Sequence, residues 1–432
     1  MKNKLGLILF PAFDWEISKT HPERKERLLY TKDQIIEEGL EDILNISFYN
    51  PVLATNDDIK RVHYVVPNVE SILTNSHYIS SGGAIKALNL VENKTTDKAF
   101  ALVRPPGHHA MKVVYGDRGF CIVNNVAVMI EKYRQKNKDA KVAIIDTDAH
   151  HGDGTENIYY NDPNVLFISI HQDGRTLYPG TGFTNELGGP NAYGYNINIP
   201  LPPNTTDEGY MYVYHNLIKP ILKDFNPDII INSAGQDNHY SDPLTNMNLS
   251  ARGYAKLNEL INPDVSVLEG GYSIEGALPY INTAIIFAMA NIDYSNVIEP
   301  DFSNSKIKQN NKITNYIKNL VEEINNNYFN REKLIKSVYP DELYITESRK
   351  IYYDTSNILE HQKIIYKRCD KCNGVEVIKS NSNKNDNILA IEIPLKSCEE
   401  CLKEGYKMYN DSNKNYTNVY LKDRYNDKYL NK

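Results

Sequence analysis

Long hydrophobic runs are scarce in this 432-residue sequence, and no stretch approaches the ~18 apolar residues that a membrane-spanning helix needs. The apolar run from Leu5 to Phe10 is interrupted by Pro11 and followed by Asp14 and Glu16, with no small-residue cleavage site after it. This pattern does not fit a signal peptide and predicts a first buried strand instead. We therefore expect a cytoplasmic protein with no membrane partner.

Cysteine is also scarce, with five in the chain, four of which form two close pairs near the C-terminus. Close pairs favour metal binding over a disulfide framework and fit a reducing compartment. An excess of basic residues is absent as well, because the formal net charge is −7. We therefore do not expect nucleic acid to be a partner of residues 1–297.

Short apolar runs do occur, and they alternate with longer helical patterns over the first two thirds of the chain. They read KVAIID (141–146), NVLFISI (164–170), PDIIINSAG (227–235) and DVSVLEGG (264–271). Continuous apolar runs are typical of parallel strands that are buried on both faces. We expect an α/β fold with a predominantly parallel sheet flanked by helices, whose ligands gather where the strands end.

A polar, Asn- and Lys-rich stretch at 298–312 predicts a linker between a catalytic domain over 1–297 and a C-terminal region over 313–432. A helix is expected directly after the linker, since apolar residues there recur at helical spacing. They are Ile313, Tyr316, Ile317, Leu320 and Ile324.

Residues 146–154, DTDAHHGDG, crowd three carboxylates and two imidazoles directly after a buried strand. Alternate residues of an extended segment point the same way, so Asp148 and His150 can present ligands to one point. Asp242, in SAGQDNHYSDPL after another strand, is the expected third ligand. An Asp-His-Asp set around Zn²⁺ leaves a position open for water or substrate, as a catalytic site requires.

Two further motifs add groups that can move protons or polarise a carbonyl. RPPGHHA (104–110) puts His108 and His109 on a rigid turn, with Asp146 and Asp153 available as carboxylate partners. Adjacent histidines suit proton transfer, although in isolation the stretch also fits two surface histidines in a turn. LEGGY (268–272) supplies Tyr272, whose hydroxyl can polarise a carbonyl oxygen.

Taken together, these motifs resemble the zinc-dependent histone deacetylase superfamily, which includes bacterial acetylpolyamine amidohydrolases and acetoin-utilisation proteins. The resemblance is closest to the class II-like bacterial members and covers about residues 1–297. It implies an arginase-like α/β fold and hydrolysis of an acetylated amine. The stretches that carry it are HPERKERL (21–28), RPPGHHA, GFCIVNNVAV (119–128), IIDTDAHHGDGTENIYY (144–160), ISIHQDG (168–174), YPGTG (178–182), SAGQDNHYSDPL (233–244) and EGGY (269–272).

The resemblance also assigns roles to residues. It implies that His109, oriented by Asp153, acts as general base and then as general acid, while His108, paired with Asp146, supports the transition state. Tyr272 is the implied donor to the developing oxyanion. The implied zinc ligands are Asp148, His150 and Asp242.

By the same resemblance, Gly119, Phe120 and Tyr178 wall a narrow tunnel for an acyl-lysine-like chain, and Leu244 follows the Asp-Pro pair at its mouth. Tyr178 departs mildly from the family, where phenylalanine is usual, and MKVVYGDR (111–118) differs from the usual rim loop. An inner monovalent-cation site, usually K⁺, is implied as well. Its members are the backbone carbonyls of Asp146, Asp148 and His150, with Ser169 and Ile170.

The C-terminal cysteines stand in two Cys-x-x-Cys pairs that flank two predicted strands and the polar loop SNSNKNDN (380–387). Such knuckles around a hairpin predict a zinc ribbon over about 366–404, and four thiolates would close the shell of a structural Zn²⁺. Four unrelated cysteines are the alternative. The four are Cys369, Cys372, Cys398 and Cys401.

We therefore expect a zinc-dependent deacetylase that removes acetyl or another short acyl group from an acyl-lysine of a protein or from a small acylated amine. An acetylpolyamine amidohydrolase is the alternative, which Leu244 disfavours, since the polyamine-selective branch has a glutamate there. A catalytically silent module that binds an acylated ligand is the alternative of another class. The C-terminal region is expected to serve recognition or self-association, so that a chain ending near Val297 would retain activity on a small substrate.

Overall fold

A computed structural model of the chain describes residues 2–12, 15–66, 73–339, 341–412 and 415–432. The strands, in chain order, are β1 (Leu5–Phe10), β2 (Ile46–Tyr49), β3 (Tyr64–Val65), β4 (Lys98–Val103), β5 (Val113–Val114), β6 (Val142–Asp146), β7 (Val165–Gln172), β8 (Asn196–Leu201), β9 (Ile229–Ala234), β10 (Val265–Leu268), β11 (Tyr344–Tyr353), β12 (Ile358–Lys367), β13 (Glu376–Ser382), β14 (Asn387–Ile393), β15 (Asn418–Asp423) and β16 (Lys428–Asn431).

Helices separate most of these strands. They are α1 (Glu26–Glu37), α2 (Asn56–Lys60), α3 (Asn75–Glu92), α4 (Asn125–Arg134), α5 (Asp153–Tyr159), α6 (Asp207–Val213), α7 (Lys219–Phe225), α8 (Ala251–Ile261), α9 (Leu278–Met289), α10 (Asn311–Phe329), α11 (Arg331–Val338) and α12 (Glu399–Asp411). None of the helices in the described part of the chain is long and apolar enough to cross a membrane.

The larger sheet has the strand order β2-β1-β4-β10-β9-β6-β7-β8, and every neighbouring pair is parallel. Helices cover both of its faces, so alternate residues of one strand enter two different cores. On β6, Ala143 and Ile145 pack in the cluster that contains α8 and α9 residues, whereas Val142 and Ile144 pack in the cluster with α3 and α4. The predicted parallel α/β sheet is confirmed, and burial on both faces explains the continuous apolar runs.

A second sheet follows in the order β11-β12-β13-β14-β15-β16, antiparallel except for the parallel pair β14 and β15. Its β13–β14 hairpin is the pair of strands that the sequence predicts between the cysteine pairs. The sheet extends beyond that hairpin on both sides, and α12 packs on one face of it through Cys401 and neighbouring apolar residues.

The helix predicted after the polar stretch is α10. Its inward residues Ile317, Leu320 and Ile324 pack in the same core as α6 and α8, on the side of the larger sheet. The helix is therefore attached to the larger sheet and not to the C-terminal one. The domain boundary at 298–312 stays a prediction.

The two sheets share a buried interface over residues 111–118. Met111, Val113 and Tyr115 pack in one apolar cluster with Ile351 and Tyr353 of β11. Hydrogen bonds and an ion pair accompany this packing. They are Tyr353 Oη to Val113 O at 2.6 Å, Tyr115 Oη with Ser380 Oγ at 2.9 Å, and Lys112 Nζ with Glu376 Oε1 at 2.8 Å. The segment 111–118, which differs in sequence from the rim loop of the resembled family, is thus the surface against which the C-terminal sheet packs.

Candidate active site

Four neighbouring strands of the larger sheet, β4, β10, β9 and β6, bring the predicted motifs to one edge. The segment 104–110 follows β4, 146–154 follows β6, 235–244 follows β9 and 269–272 follows β10. Because parallel strands end at the same edge of a sheet, these four loops meet there. The sheet order therefore explains how motifs far apart in the sequence build one site.

The two adjacent histidines each lie against a buried carboxylate. His108 Nδ1 is 3.1 Å from Asp146 Oδ2, and His109 Nδ1 is 2.8 Å from Asp153 Oδ1. All four side chains are more than nine-tenths buried. The structure thus brings together the pairs that the resemblance implies, and their catalytic roles stay predictions.

The surroundings give the two histidines different charges. Burial would lower the pKa of His108, but the charges of Asp148 and Asp146 raise it well above its usual value. Burial and the positive charge on His108 lower the pKa of His109 to about 3. Near neutral pH His108 is therefore positively charged, whereas His109 is neutral and can accept a proton.

A group that could hold a metal ion lies beside these histidines. Ligand atoms of Asp148, His150 and Asp237 lie within 4.8 Å of one another. His150 Nδ1 is 3.1 Å from Asp148 Oδ1 and 2.9 Å from Asp237 Oδ2. Burial would lower the pKa of His150, but the two carboxylates raise it to about 10, so the group favours a positive charge at this point.

Asp242, the third predicted ligand, lies next to this group. Its two carboxylate oxygens accept the backbone N–H groups of Tyr272 at 2.7 Å and Leu244 at 2.9 Å. Burial and the charge of Asp237 raise the pKa of Asp242 to about 7, a further sign that a cation would stabilise this cluster. The ligand role of Asp242 stays a prediction, and Asp237 is an additional candidate that the sequence did not single out.

Two glycines leave room for the metal group. A Cβ atom on Gly235 would lie 2.1 Å from Asp148 Oδ2, and one on Gly270 would lie 2.5 Å from Asp237 Oδ2 and 2.6 Å from Asp148 Oδ2. Gly270 also donates its N–H to Asp148 Oδ2 at 2.8 Å. Side chains at these two positions would therefore displace the carboxylates.

Aromatic rings surround the histidines as the resemblance implies. The ring of Tyr178 is 5.2 Å from that of His109, and the ring of Phe120 is 5.8 Å from that of Tyr272. Gly119 has φ +51°, and a Cβ atom on it would lie 2.4 Å from the His109 ring. Leu244 is 36% exposed. The predicted wall residues therefore lie around one site, while their contact with substrate stays a prediction.

Tyr272 is held in place by its neighbours. Its side chain is 7% exposed, and the guanidinium carbon of Arg27 is 4.9 Å from its ring centre. Burial raises the pKa of Tyr272 well above its usual value, so the hydroxyl keeps its proton and remains a donor. Arg27 in turn donates Nε–H to the carbonyl oxygen of Gly271 at 2.8 Å, which fixes the loop that carries Tyr272.

The sequence matches the family model of the histone deacetylase domain over residues 65–288, which is more than half of the chain. The chain belongs to the histone deacetylase domain family. This histone deacetylase-family chain is 46% identical over 313 residues to a probable deacetylase of Archaeoglobus fulgidus, an alignment that covers 66% of the chain and 86% of the relative. The family match ends before the C-terminal sheet begins.

Further comparisons agree. Over 50% of its length the histone deacetylase-family chain is 35% identical to the histone deacetylase-like amidohydrolase of Pseudomonas aeruginosa, of which 58% is covered. The crystal structure of the HDA15 HD domain matches it with a TM-score of 0.63 and 25% identity, over 77% of this chain and 98% of that one. The predicted arginase- and deacetylase-like fold is thereby confirmed.

The residues predicted for the monovalent-cation site lie on β6, on β7 and in the loop after β6. In the pairing of β6 with β7, Asp146 is opposite Ser169. The residues named for this site are buried, except His150, which is partly exposed. Potassium at this position stays a prediction.

The four C-terminal cysteines form a second group that could hold a metal ion. Their sulfur atoms lie within 4.8 Å of one another, and Cys398 Sγ is 3.8 Å from Cys369 Sγ and 3.7 Å from Cys372 Sγ. A tetrahedral ion with sulfur bonds of about 2.3 Å requires sulfur separations of about 3.8 Å. The backbone N–H groups of Gly374 and Cys401 donate to Cys372 Sγ and Cys398 Sγ at 3.4 Å each, which would stabilise thiolates.

Several contacts of the site were not singled out from the sequence. Glu269 Oε2 accepts the N–H groups of Gly107 at 2.7 Å and His108 at 3.1 Å, and thereby fixes the histidine turn. Arg118 pairs with Asp153, and Asp354 of the C-terminal sheet contacts Gly119. The Glu in EGGY was visible as part of a motif, whereas the last two contacts depend on long-range packing and had no local signal.

Proposed function

We propose that this chain is a zinc-dependent deacetylase that hydrolyses the amide bond of an acylated amine, releasing a short carboxylate and the free amine. One observation carries the proposal: two buried histidine–aspartate pairs lie beside an Asp-His-Asp group at the end of four parallel strands. The family membership supports the same reaction class.

The residues present fit a catalytic zinc ion. Asp148 and His150 would hold it together with Asp242, and Asp237 lies against the same His150 nitrogen that Asp148 contacts. Zinc bound there would supply Lewis acidity to the amide carbonyl and lower the pKa of a water molecule. Two carboxylates and one imidazole match the donor set of a catalytic zinc site with an open position.

The neutral histidine serves as the base. His109 has Nδ1 turned to Asp153 at 2.8 Å, so its Nε2 is the nitrogen that accepts the proton of the attacking water. Burial would raise the pKa of Asp153, but the charge of Arg118 and the hydrogen bond with His109 lower it, so the carboxylate stays ionised beside the ring. As the C–N bond breaks, His109 gives this proton to the amine nitrogen, because the amine cannot leave as an anion.

The charge that develops on the carbonyl oxygen needs donors. Tyr272, whose hydroxyl keeps its proton, is the side chain of this chain that we assign to that oxygen. His108 carries a positive charge between Asp146 and Asp148, with Nε2 at 3.8 Å from Asp148 Oδ2. This charge favours the build-up of negative charge in the transition state.

A structural zinc ion at the four cysteines and a K⁺ ion at the predicted monovalent-cation site complete the proposed cofactors. The sulfur separations near 3.8 Å fit zinc. We infer that the cysteine site stabilises the C-terminal sheet and takes no part in the chemistry. A protein partner or a second copy of the chain remains the proposed use of the outer surface of that sheet.

Acyl-lysine or a small acylated amine is the proposed substrate class. An acetylpolyamine is the second candidate, favoured by two carboxylates near Gly119. Burial and the charge of Asp354 raise the pKa of Asp117 to about 7, and the buried Oδ1 atom of Asp117 has no hydrogen-bond partner. In the described part of the chain neither carboxylate pairs with a lysine or arginine, so a cationic substrate would offset their charge.

The test of the proposed function is release of carboxylate from a panel of acyl-lysine peptides, small N-acetylated amines and acetylated polyamines. We expect turnover of at least one class and loss of turnover when Asp148 is replaced by Asn. A silent binding module would bind members of the panel without releasing acetate. If the wild-type protein released carboxylate from none of the three substrate classes, the proposal would be contradicted.

A further inference from the structure

A turn of the C-terminal sheet reaches the active site. The turn at 354–357 joins β11 to β12, and its first residue is Asp354, which is half-buried. Asp354 Oδ1 accepts the backbone N–H of Gly119 at 2.9 Å and the hydroxyl of Tyr178 at 3.2 Å. One carboxylate oxygen thus connects two segments that surround His109.

Both segments contact His109 directly. Gly119 has so little space that a Cβ atom would lie 2.4 Å from His109 Cδ2 and 3.0 Å from Tyr178 Cε1. Tyr178 packs edge-on against the His109 ring, with 5.2 Å between ring centres. A shift of either segment would therefore change the space beside the proposed general base, and Asp354 restrains both.

A second connection joins the same sheet to the partner of His109. Arg118 Nε donates to Asp153 Oδ2 at 3.1 Å, and Arg118 Nη1 donates to the carbonyl oxygen of Tyr352 on β11. Next to it, Ser356 Oγ accepts the backbone N–H of Asp117 at 3.0 Å. The C-terminal sheet therefore holds the rim segment at three successive residues, 117, 118 and 119.

We propose that Asp354 is a positioning residue of the active site, which fixes Gly119 and Tyr178 beside His109 and makes the C-terminal sheet a part of the catalytic unit. This inference rests on the proposed deacetylase function. Asp354 lies beyond residues 65–288, the segment matched to the family, so the role would be a feature of this chain's own C-terminal extension. It also argues against the expectation that a chain ending near Val297 would retain activity on a small substrate.

The two hydrogen bonds use a single oxygen atom, which allows a sharp experiment. Asp354→Asn keeps an amide oxygen that can accept both bonds and removes the negative charge. Asp354→Ala removes both bonds. Tyr178→Phe keeps the ring against His109 and the bond from Gly119, and removes the hydroxyl contact alone. Asp341→Ala is the matched control, because Asp341 is an exposed carboxylate of the same region.

The measurement is kcat and KM of the full-length variants on the substrate that the wild-type protein hydrolyses best, with metal content and unfolding temperature recorded in parallel. We expect Asp354→Ala to lower kcat/KM by about tenfold or more, mainly through KM, with unchanged metal content. Asp354→Asn should stay within about threefold of the wild-type protein, and Asp341→Ala within about twofold. Tyr178→Phe should fall between the control and Asp354→Ala.

The double variant Asp354→Ala/Tyr178→Phe supplies a second readout. Because both changes remove the same bond, the double variant should lose no more than about the Asp354→Ala variant alone. Losses that multiply, or an Asp354→Asn variant as impaired as Asp354→Ala, would overturn the positioning role. So would kcat/KM of Asp354→Ala equal to that of the Asp341→Ala control.

Failure of the Asp354→Ala variant to fold and inactivity of the wild-type protein would each be interpreted separately. If Asp354→Ala does not fold, Tyr178→Phe decides the question, and kinetics equal to wild type for that variant would overturn the proposal. If the wild-type protein hydrolyses no member of the substrate panel, the deacetylase function fails, and the positioning role fails with it. Activity of the wild-type protein with no effect of Asp354→Ala would overturn the positioning role alone.

Discussion

The two metal-ligand groups of this chain lie in contrasting surroundings. The Asp148, His150 and Asp237 group follows buried parallel strands and has two further histidines next to it. The cysteine group lies between the end of β12 and the first turn of α12, with Cys398 at the helix N-cap and backbone N–H groups directed at sulfur. The first group has buried histidine–carboxylate pairs beside it, and the second has backbone N–H groups that donate to its sulfur atoms.

The contrast teaches how a metal group can be assigned a role from its neighbours. Buried groups with opposite shifts of pKa, such as His108 and His109, cost stability and are typical of chemistry. Four thiols at the separations of a tetrahedron complete a coordination shell and leave no open position. Changes at the two groups should therefore affect activity very differently.

The largest expected effect follows removal of the proposed base. His109→Ala should lower kcat by about a thousandfold, because general acid and general base steps both depend on this imidazole. Steady-state kinetics on an acyl-lysine substrate measures the effect. Metal content should match that of the wild-type protein, and a variant that keeps a tenth of the wild-type kcat would show that another group takes the proton.

Tyr272→Phe should have the next largest effect. Loss of one donor to the developing oxyanion is expected to lower kcat by about 100-fold or more, with the fold and the metal retained. Circular dichroism and metal analysis serve as controls. Activity close to wild type would mean that Tyr272 does not donate to the reacting oxygen.

A change at the cysteine group should have a smaller effect on activity. Cys369→Ser is expected to reduce bound zinc by one ion per chain and to lower the unfolding temperature of the C-terminal sheet. The kcat/KM value should fall by about tenfold at most, since the sheet affects the site only through contacts such as that of Asp354. Unchanged zinc content would remove the structural-zinc assignment, and loss of activity equal to that of His109→Ala would contradict the proposed division of roles.

The smallest effect is expected on substrate preference, from a change at the mouth of the proposed substrate tunnel. Leu244→Glu should shift the ratio of kcat/KM values for an acetylated polyamine over a neutral acetyl-lysine amide by about threefold to fivefold, the range of an exposed charge pair. Leu244→Gln is the matched control, with similar size and no charge. A shift of the same size in the glutamine variant would rule out an electrostatic cause.

The sequence predicted the larger sheet well for a physical reason. Strands buried on both faces must be apolar throughout, so β6, β7, β9 and β10 were visible as continuous runs, and each ended in a motif with titratable groups. The pairs His108–Asp146 and His109–Asp153 followed from the family resemblance. The sheet order explains why those distant motifs meet.

Other features depend on packing that no local pattern records. Asp237 and Asp242 lie five positions apart in the same loop, and spacing alone could not show that Asp237 approaches His150. The contact of Asp354 with Gly119 joins residues 235 positions apart. In β11 buried and exposed positions alternate, but the polar run from Thr346 to Lys350 hides this alternation in the sequence, and alternation would not show which surface the buried face covers.

The central claim is that Asp148, His150 and Asp242 hold the metal required for hydrolysis of an acylated amine. Removal and return of the metal test this claim most directly. Carboxylate release by the full-length protein is measured before chelation, after chelation and after addition of Zn²⁺, with bound zinc counted at each stage. The account predicts that activity disappears when the more readily removed ion is lost and returns when zinc is restored, while the cysteine-bound ion remains. Activity that persists after that ion has been removed, or that does not return with zinc, would contradict the account.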